Sequence, residues 1–240
     1  MDGSFEVASL PWQVAFWAAV MTGLVGLTVR GALRRRPLEA IPPGLAMTAL
    51  GGTIGLYLQA TLGGKFAVWE RLLDELGLDG GERILDLGCG RGAVLVAAAR
   101  RLRGGRATGV DLWHADQSGN SPAATRANAE LEGVAPKVSL LTADITHLPF
   151  TGGEFDVVLG SLALHDLDGE GRHAAVDEAI RVLREGGRMV LVDVGFTRTF
   201  ARGLREAGMT AVRRRNAGWR MWYGGPYFPA HIVTARRPAP

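Results

Sequence analysis

From Arg83 onward, short apolar runs that read as strands alternate with runs at helical spacing, and nothing else in the 240-residue chain constrains its fold as strongly. Strands are expected at Arg83–Leu87, Ala107–Val110, Val138–Leu141, Phe155–Leu159, Arg188–Val192, Ala211–Arg214 and His231–Ala235. Between them Gly92–Leu102, Pro122–Glu132, Ala174–Leu183 and Phe200–Ala207 carry helical patterns, and an earlier helix over Phe66–Leu78 is closed by Gly77, Gly80 and Gly81. Such alternation implies a mostly parallel sheet covered by helices on both faces. In sheets of that kind ligands bind at the carboxyl ends of the strands. The length suits one catalytic domain with an appendage rather than two enzymes.

The first strand runs into Ile84-Leu85-Asp86-Leu87-Gly88-Cys89-Gly90-Arg91-Gly92. Glycines there let the backbone approach a ligand at the start of a helix, where free N–H groups point outward. Gly88, Gly90 and Ala93 also satisfy the dinucleotide pattern G-x-G-x-x-G/A, so the glycines alone leave a nicotinamide nucleotide open as the ligand. Asp86 points elsewhere, because a carboxylate beside the turn repels a pyrophosphate and favours a ligand bearing an ammonium and a sulfonium. The second strand ends at Asp111, whose carboxylate can accept both hydrogen bonds of a ribose diol. The third is followed by Asp144, which can accept from an adenine amino group. Three acids at three successive strand ends are hard to dismiss as solvated loop residues.

Over Glu82–Arg236 the chain resembles the class I S-adenosylmethionine-dependent methyltransferases. The resemblance is carried by ILDLGCGRG, by the acid of ATGVD, by TADITHLPF, by FDVVLGSLALHDL and by RVLREGGRMVLVDV. The LPF and REGG blocks are most similar to the branch of quinone, sterol and small-molecule methyltransferases. The resemblance implies a Rossmann-like α/β fold, a seven-stranded sheet in the order 3-2-1-4-5-7-6 with the last strand antiparallel, and S-adenosylmethionine as methyl donor. It further implies that Asp86 and the backbone of Gly88, Cys89, Gly90 and Gly92 face the methionine part, Asp111 the ribose, Leu112 a face of the adenine, and Asp144 with Ile145 its edge. Ser161, just after the fourth strand, is expected to join the donor site. His165 follows that strand, where relatives place groups facing the acceptor, and its ordinary pKa near 6.5 suits a general base. Asp166 need not orient it, since neighbours on an extended chain point to opposite faces. His114 and His147 read as loop residues, and Cys89 as a small packed residue rather than a nucleophile.

The N-terminal third is different material. Val7–Val29 holds no charge, and Trp12–Val29 approaches the roughly 20 apolar residues that a spanning helix needs. Asp2 and Glu6 precede it and Arg30, Arg34, Arg35 and Arg36 follow, the reverse of a signal peptide. By the positive-inside tendency the N-terminus faces out and the chain emerges inward, placing the catalytic domain in the cytoplasm. A second uncharged stretch, Ala40–Gly64, is rich in Gly and holds Pro42 and Pro43, which predicts a poor straight helix in water. It is expected to lie in the interface or to pack on the first helix as a re-entrant hairpin, with an external arginine loop or a soluble helical dimer as the other readings. The expected division is thus 1–65, an apolar membrane-associating segment, and 66–240, the methyltransferase domain.

A single cysteine and no Cys/His cluster exclude an internal disulfide and a zinc or iron–sulfur site. The net charge of +3 comes from arginine, as Lys65 and Lys137 are the only lysines, and without interleaved aromatic platforms it suits an anionic membrane better than nucleic acid. The aromatic run Trp219–Phe228 either lines an acceptor pocket, touches a bilayer or packs as a turn on the sheet, and Arg213–Arg215 are split between strand faces. The polar loop 112–121 is either a lid over the donor or an excursion whose Ser121 or Asn120 caps the helix that Pro122 begins. Together these readings predict methyl transfer from S-adenosylmethionine to a small or lipophilic acceptor at a membrane. The competing readings are a nicotinamide-dependent oxidoreductase and a membrane-bound S-adenosylmethionine-binding protein without catalysis.

Overall fold

The computed structural model describes residues 10–34, 37–113, 120–223 and 225–239. Two helices, α1 (Leu10–Leu33) and α2 (Pro37–Gln59), fold back on one another as a hairpin, with Gly44 approaching the methyl group of Thr28. One π-type turn, Ala60–Gly64, carries α2 directly into α3 (Lys65–Leu76), and the backbone at Gln59, Gly64 and Lys65 stays helical throughout. The second apolar stretch is therefore helical despite its prolines, which sit in the first two turns and interrupt only the start of the hydrogen-bond ladder. α2 returns alongside α1, so the start of α1 and the residues that follow Gly64 share one end of the hairpin. Residue 65 lies inside a continuous helix.

Seven strands form one sheet: β1 (Arg83–Leu87), β2 (Arg106–Asp111), β3 (Val138–Thr142), β4 (Phe155–Ser161), β5 (Leu183–Asp193), β6 (Thr210–Asn216) and β7 (His231–Arg236). Their order is β3-β2-β1-β4-β5-β7-β6, and β7 runs antiparallel to both its neighbours while the other pairs are parallel. This is the order that the resemblance implies. Successive strand residues face opposite layers. Ile84, Val157 and Leu159 pack toward α3 and α4 (Ala93–Arg101), and toward Ala129 of α5 (Pro122–Leu131). Leu85, Leu87 and Val158 pack toward α6 (Gly169–Val182) and α7 (Thr197–Glu206).

Two boundaries differ from expectation. α6 begins at Gly169, five residues before the apolar periodicity starts, because Asp168 caps it by accepting the Gly171 N–H at 2.7 Å. β5 begins at Leu183, since Arg184–Gly187 continue the strand rather than forming a separate turn.

Candidate functional site

The carboxyl ends of β1, β2 and β4, with the residues just after β3, open onto one cavity of about 760 Å³. Asp86, Gly88, Cys89, Gly90, Asp111, Leu112, Asp144, Ile145 and Ser161 all lie on its wall. Two expected residues do not. Gly92 (φ 85°) starts α4, and a Cβ there would meet the Thr125 methyl at 2.8 Å, so its smallness serves the packing of α4 on α5. His165 is off the wall, beside Asp166, which is on it.

The glycine turn is tied down from both sides. The N–H groups of Gly88 and Cys89 donate to the Val110 carbonyl at 2.8 and 3.1 Å. From α5, the buried Thr125 hydroxyl donates to the Gly90 carbonyl at 2.6 Å and the Asn128 amide to the Arg91 carbonyl at 3.0 Å. Sequence reading missed these two; the signal was a pair of polar residues, i and i+3, on the inward face of a helix. Gly88 (φ 63°) has no room for a side chain, as a Cβ would stand 2.4 Å from that of Ala163 on the opposite rim.

Asp111 accepts the Gly90 N–H on one oxygen at 2.8 Å and the Trp113 N–H on the other at 2.7 Å. Each oxygen keeps a further lone pair, so the carboxylate is held in place and still able to accept two hydroxyl donors. Asp144 accepts the Thr146 N–H at 2.8 Å, and Ile145 beside it is buried. Ser161 receives the indole N–H of Trp69 at 2.9 Å, which pins α3 to the end of β4 and closes the cavity with Lys65 and Phe66.

Asp86 is 1 % exposed, and neither carboxylate oxygen has a hydrogen-bond partner among the described residues. Burial pushes its pKa up to about 8, an effect which the nearby Leu95 N–H opposes and the charge of Asp111 augments. A buried, unpartnered carboxyl on the wall of a cavity fits a cationic ligand, and hence the ammonium and sulfonium of an S-adenosylmethionine-like donor. A testable linkage follows. With its pKa raised to about 8, Asp86 of the ligand-free protein is expected to keep its proton at pH 7, and a cation bound beside it lowers its pKa and expels that proton. Calorimetric titration with S-adenosylhomocysteine in phosphate and in Tris at pH 7 should reveal release of up to one proton per site. Affinity should rise toward pH 8 and level off above it, and Asp86→Asn should abolish the release.

Cys89 is buried, and burial, then the charges of Asp86 and Asp111, hold its thiol well above the ordinary range. It is a packed residue, as expected, with its sulfur directed at Gly109.

His165 lies in a turn rather than on extended chain, so Asp166, which lines the cavity, comes within 3.3 Å of its Nε2. The unexpected partner is Asp193, at the end of β5. Its carboxylate is 1 % exposed, accepts the N–H groups of Leu164 and Val194, and stands 2.8 Å from His165 Nδ1, a charge contact rather than an aligned hydrogen bond. Asp193 holds the imidazole pKa above its usual value, with burial working in the opposite direction. The clue in the sequence was its position: another acid ending another central strand. Between β4 and this turn, Leu162 adopts φ 55°, a conformation that costs a branched side chain energy and recurs at functional rims.

The remaining expectations divide. His114 and most of the loop that contains it lie outside the described residues, while Ser121 caps α5 by accepting the Ala124 N–H at 3.1 Å. His147 is in a loop, bonded to Thr146. Arg214 reaches Thr197 and Arg215 pairs with Glu75, on opposite faces of β6. In the aromatic run Met221 is buried, whereas Trp219, Tyr227 and Phe228 are exposed. Among the described residues no cluster of His, Cys, Asp or Glu could hold a metal ion.

Residues 84–187 match the family model described as "Methyltransferase domain". Methyltransferase GfsG of Streptomyces halstedii is 32 % identical over 144 residues, which cover 60 % of this chain and 47 % of that protein. The demethylmenaquinone methyltransferase of Beutenbergia cavernae is 34 % identical over 131 residues, 54 % of this chain and 48 % of its own. The chain thus spans about half the length of these relatives. Among solved structures, a geranyl diphosphate methyltransferase in complex with SAM superposes with a TM-score of 0.58 at 21 % identity, over 72 % of this chain and 85 % of that one. The [4+2]-cyclase SpnF gives 0.59 at 21 % identity, over 71 % and 82 %. A cyclase on the same sheet means that the fold alone does not carry the reaction.

Proposed function

Because residues 84–187 match a family model described as "Methyltransferase domain", we propose that the chain is a class I S-adenosylmethionine-dependent enzyme that transfers a methyl group from S-adenosylmethionine to a small, lipophilic acceptor delivered at a membrane. The observation that carries the donor half is the buried, unpartnered carboxyl of Asp86 beneath the glycine turn, with Asp111 and Asp144 on the same cavity wall. When bound, the donor supplies an electrophilic methyl on sulfur, open to in-line displacement. The chain's own residues then orient and exclude water. Asp111 holds the diol, Asp144 and Ile145 the base, Leu112 lies against it, and Ser161 with Trp69 closes the wall. His165, steadied by Asp193, takes the proton of an acceptor that must lose one.

The lipophilic half rests on the N-terminal hairpin. The helix over Ile41–Leu76 is 36 residues long with a mean hydropathy of 1.3 in its most apolar window, and only 6 % of that window is buried. Val25, Leu27, Leu33, Ile41 and Leu45 are exposed on the hairpin, a surface that water disfavours and hydrocarbon accepts. The relatives named for demethylmenaquinone and for ubiquinone and menaquinone make a ring on an isoprenoid tail the first acceptor class to try. The catalytic domain, 66–240, is read as facing the cytoplasm, where the donor is available; because the hairpin returns, this takes the reading in which the arginine loop at its far tip is external, in place of the one that puts those arginines on the cytoplasmic side.

The deciding experiment incubates the full chain, reconstituted in phospholipid vesicles, with methyl-labelled S-adenosylmethionine and a total lipid extract. Label entering the organic phase is the expected result. Binding of S-adenosylhomocysteine without label in any fraction would leave a donor-binding protein and end the enzymatic reading.

A further inference from the structure

The hairpin and the C-terminal aromatic run meet at one junction. The 3₁₀ turn Trp219–Met221 lies against the π-type turn, and a Cβ on Gly64 would overlap the Arg220 carbonyl oxygen at 1.8 Å. One step outward, the rings of Tyr57 and Tyr223 meet edge to face with centroids 6.2 Å apart. In and beside these two turns four buried side-chain atoms have no hydrogen-bond partner among the described residues: Gln59 Oε1, Thr61 Oγ1, Trp222 Nε1 and the Tyr223 hydroxyl. Buried polar atoms left unpaired are rare because each forfeits its hydration without replacement, and four in one junction call for an explanation. The junction also adjoins the reactive end of the site. The Tyr223 phenol is pushed upward by burial, then by Tyr57, then by the charge of Asp193, so it stands within electrostatic reach of the carboxylate that holds His165. On the same helix, Lys65, Phe66 and Trp69 line the donor cavity just beyond the turn.

We propose that this junction is the acceptor's head-group site: Gln59, Thr61, Trp222 and Tyr223 receive a neutral head, and its apolar tail leaves past Tyr57 along α2. The chemistry of the four groups sets the class. The indole N–H only donates, the amide oxygen only accepts, and the two hydroxyls do either. None is charged. The matching head carries both a hydroxyl and a carbonyl or ether oxygen, as on a hydroxylated ring, rather than a phosphate. Tyr57 is 43 % exposed on the apolar helix with its ring against Tyr223, so it lies between the membrane-facing surface and that head site. This inference rests on the reading of the chain as a methyltransferase acting on a lipophilic acceptor.

The test uses the full chain in nanodiscs, saturated with S-adenosylhomocysteine, and two probes with one head: dodecyl 4-hydroxybenzoate and methyl 4-hydroxybenzoate. Equilibrium binding of the dodecyl ester should weaken about tenfold in Tyr223→Phe and in Gln59→Leu, the worth of one buried hydrogen bond. Affinity for S-adenosylhomocysteine should be unchanged. The melting temperature of ligand-free Tyr223→Phe should not fall, because the hydroxyl has no partner to lose; a structural role would lower it. Failure of the wild type to bind the dodecyl ester, or wild-type affinity in both variants, overturns the head-group site. Equal affinity for the two esters removes the tail path and the lipophilic-acceptor reading with it. Absence of S-adenosylhomocysteine binding in the wild type would instead sink the methyltransferase reading itself.

Discussion

Asp111→Ala is expected to weaken S-adenosylhomocysteine binding on the order of 100-fold, the sum of two charge-assisted hydrogen bonds at about 1.5 kcal/mol each. The carboxylate does two jobs at once. On the proposed reading it offers lone pairs to a diol, and it receives the N–H groups of Gly90 and Trp113, which keep the glycine turn closed on the end of β2. Asp111→Asn separates these contributions, since an amide supplies one acceptor oxygen but turns an NH₂ toward a backbone donor. Its loss should be intermediate, about tenfold. Calorimetry on the purified protein measures both. Wild-type affinity in Asp111→Ala would remove the ribose assignment, and with it the orientation of the donor in the cavity.

The second large effect belongs to His165 and Asp193. On an acceptor that must lose a proton, His165→Ala should lower turnover on the order of 10²–10³-fold, the range of a lost general base, with donor affinity intact. The pH dependence gives the sharper reading. Asp193 raises the imidazole pKa, and a base works only when neutral, so the rate should climb with pH through a value above the ordinary 6.5 and then level off. Asp193→Asn removes the charge that favours the imidazolium. The rising limb should therefore move to lower pH, while the plateau falls because the base is weaker and less well oriented. A structural role for Asp193 alone would lower the rate without moving the limb. Identical limbs in wild type and Asp193→Asn would exclude the pair from proton transfer.

Much of this site was legible along the chain because its parts are local. A strand that ends in an acid and a glycine turn that starts a helix are spelled by consecutive residues, so Asp86, Asp111 and Asp144 could be named from their positions alone. The cavity gathers all three because parallel strands end on one edge of the sheet. Gly92 shows the limit: the same spelling put it with the ligand, yet its missing side chain makes room for Thr125 of another helix. Asp193 and His165 are 28 residues apart, and no spacing rule pairs them; they meet because β4 and β5 are neighbours in the sheet.

Alternation, apolar periodicity and strand-end chemistry are properties of short segments, and the sequence by itself determined them: the layered α/β sheet, its order through resemblance, the acids at the strand ends and the apolar nature of the N-terminal third. Tertiary structure alone decided which distant side chains share a boundary. It turned the second apolar stretch back along the first, joined it through one helix to the wall of the cavity, set Tyr223 against Tyr57, and placed a buried carboxylate behind His165. The physical reason is that backbone hydrogen bonding and hydrophobic burial act on local patterns, whereas the partner of a buried polar group is chosen by how whole elements pack.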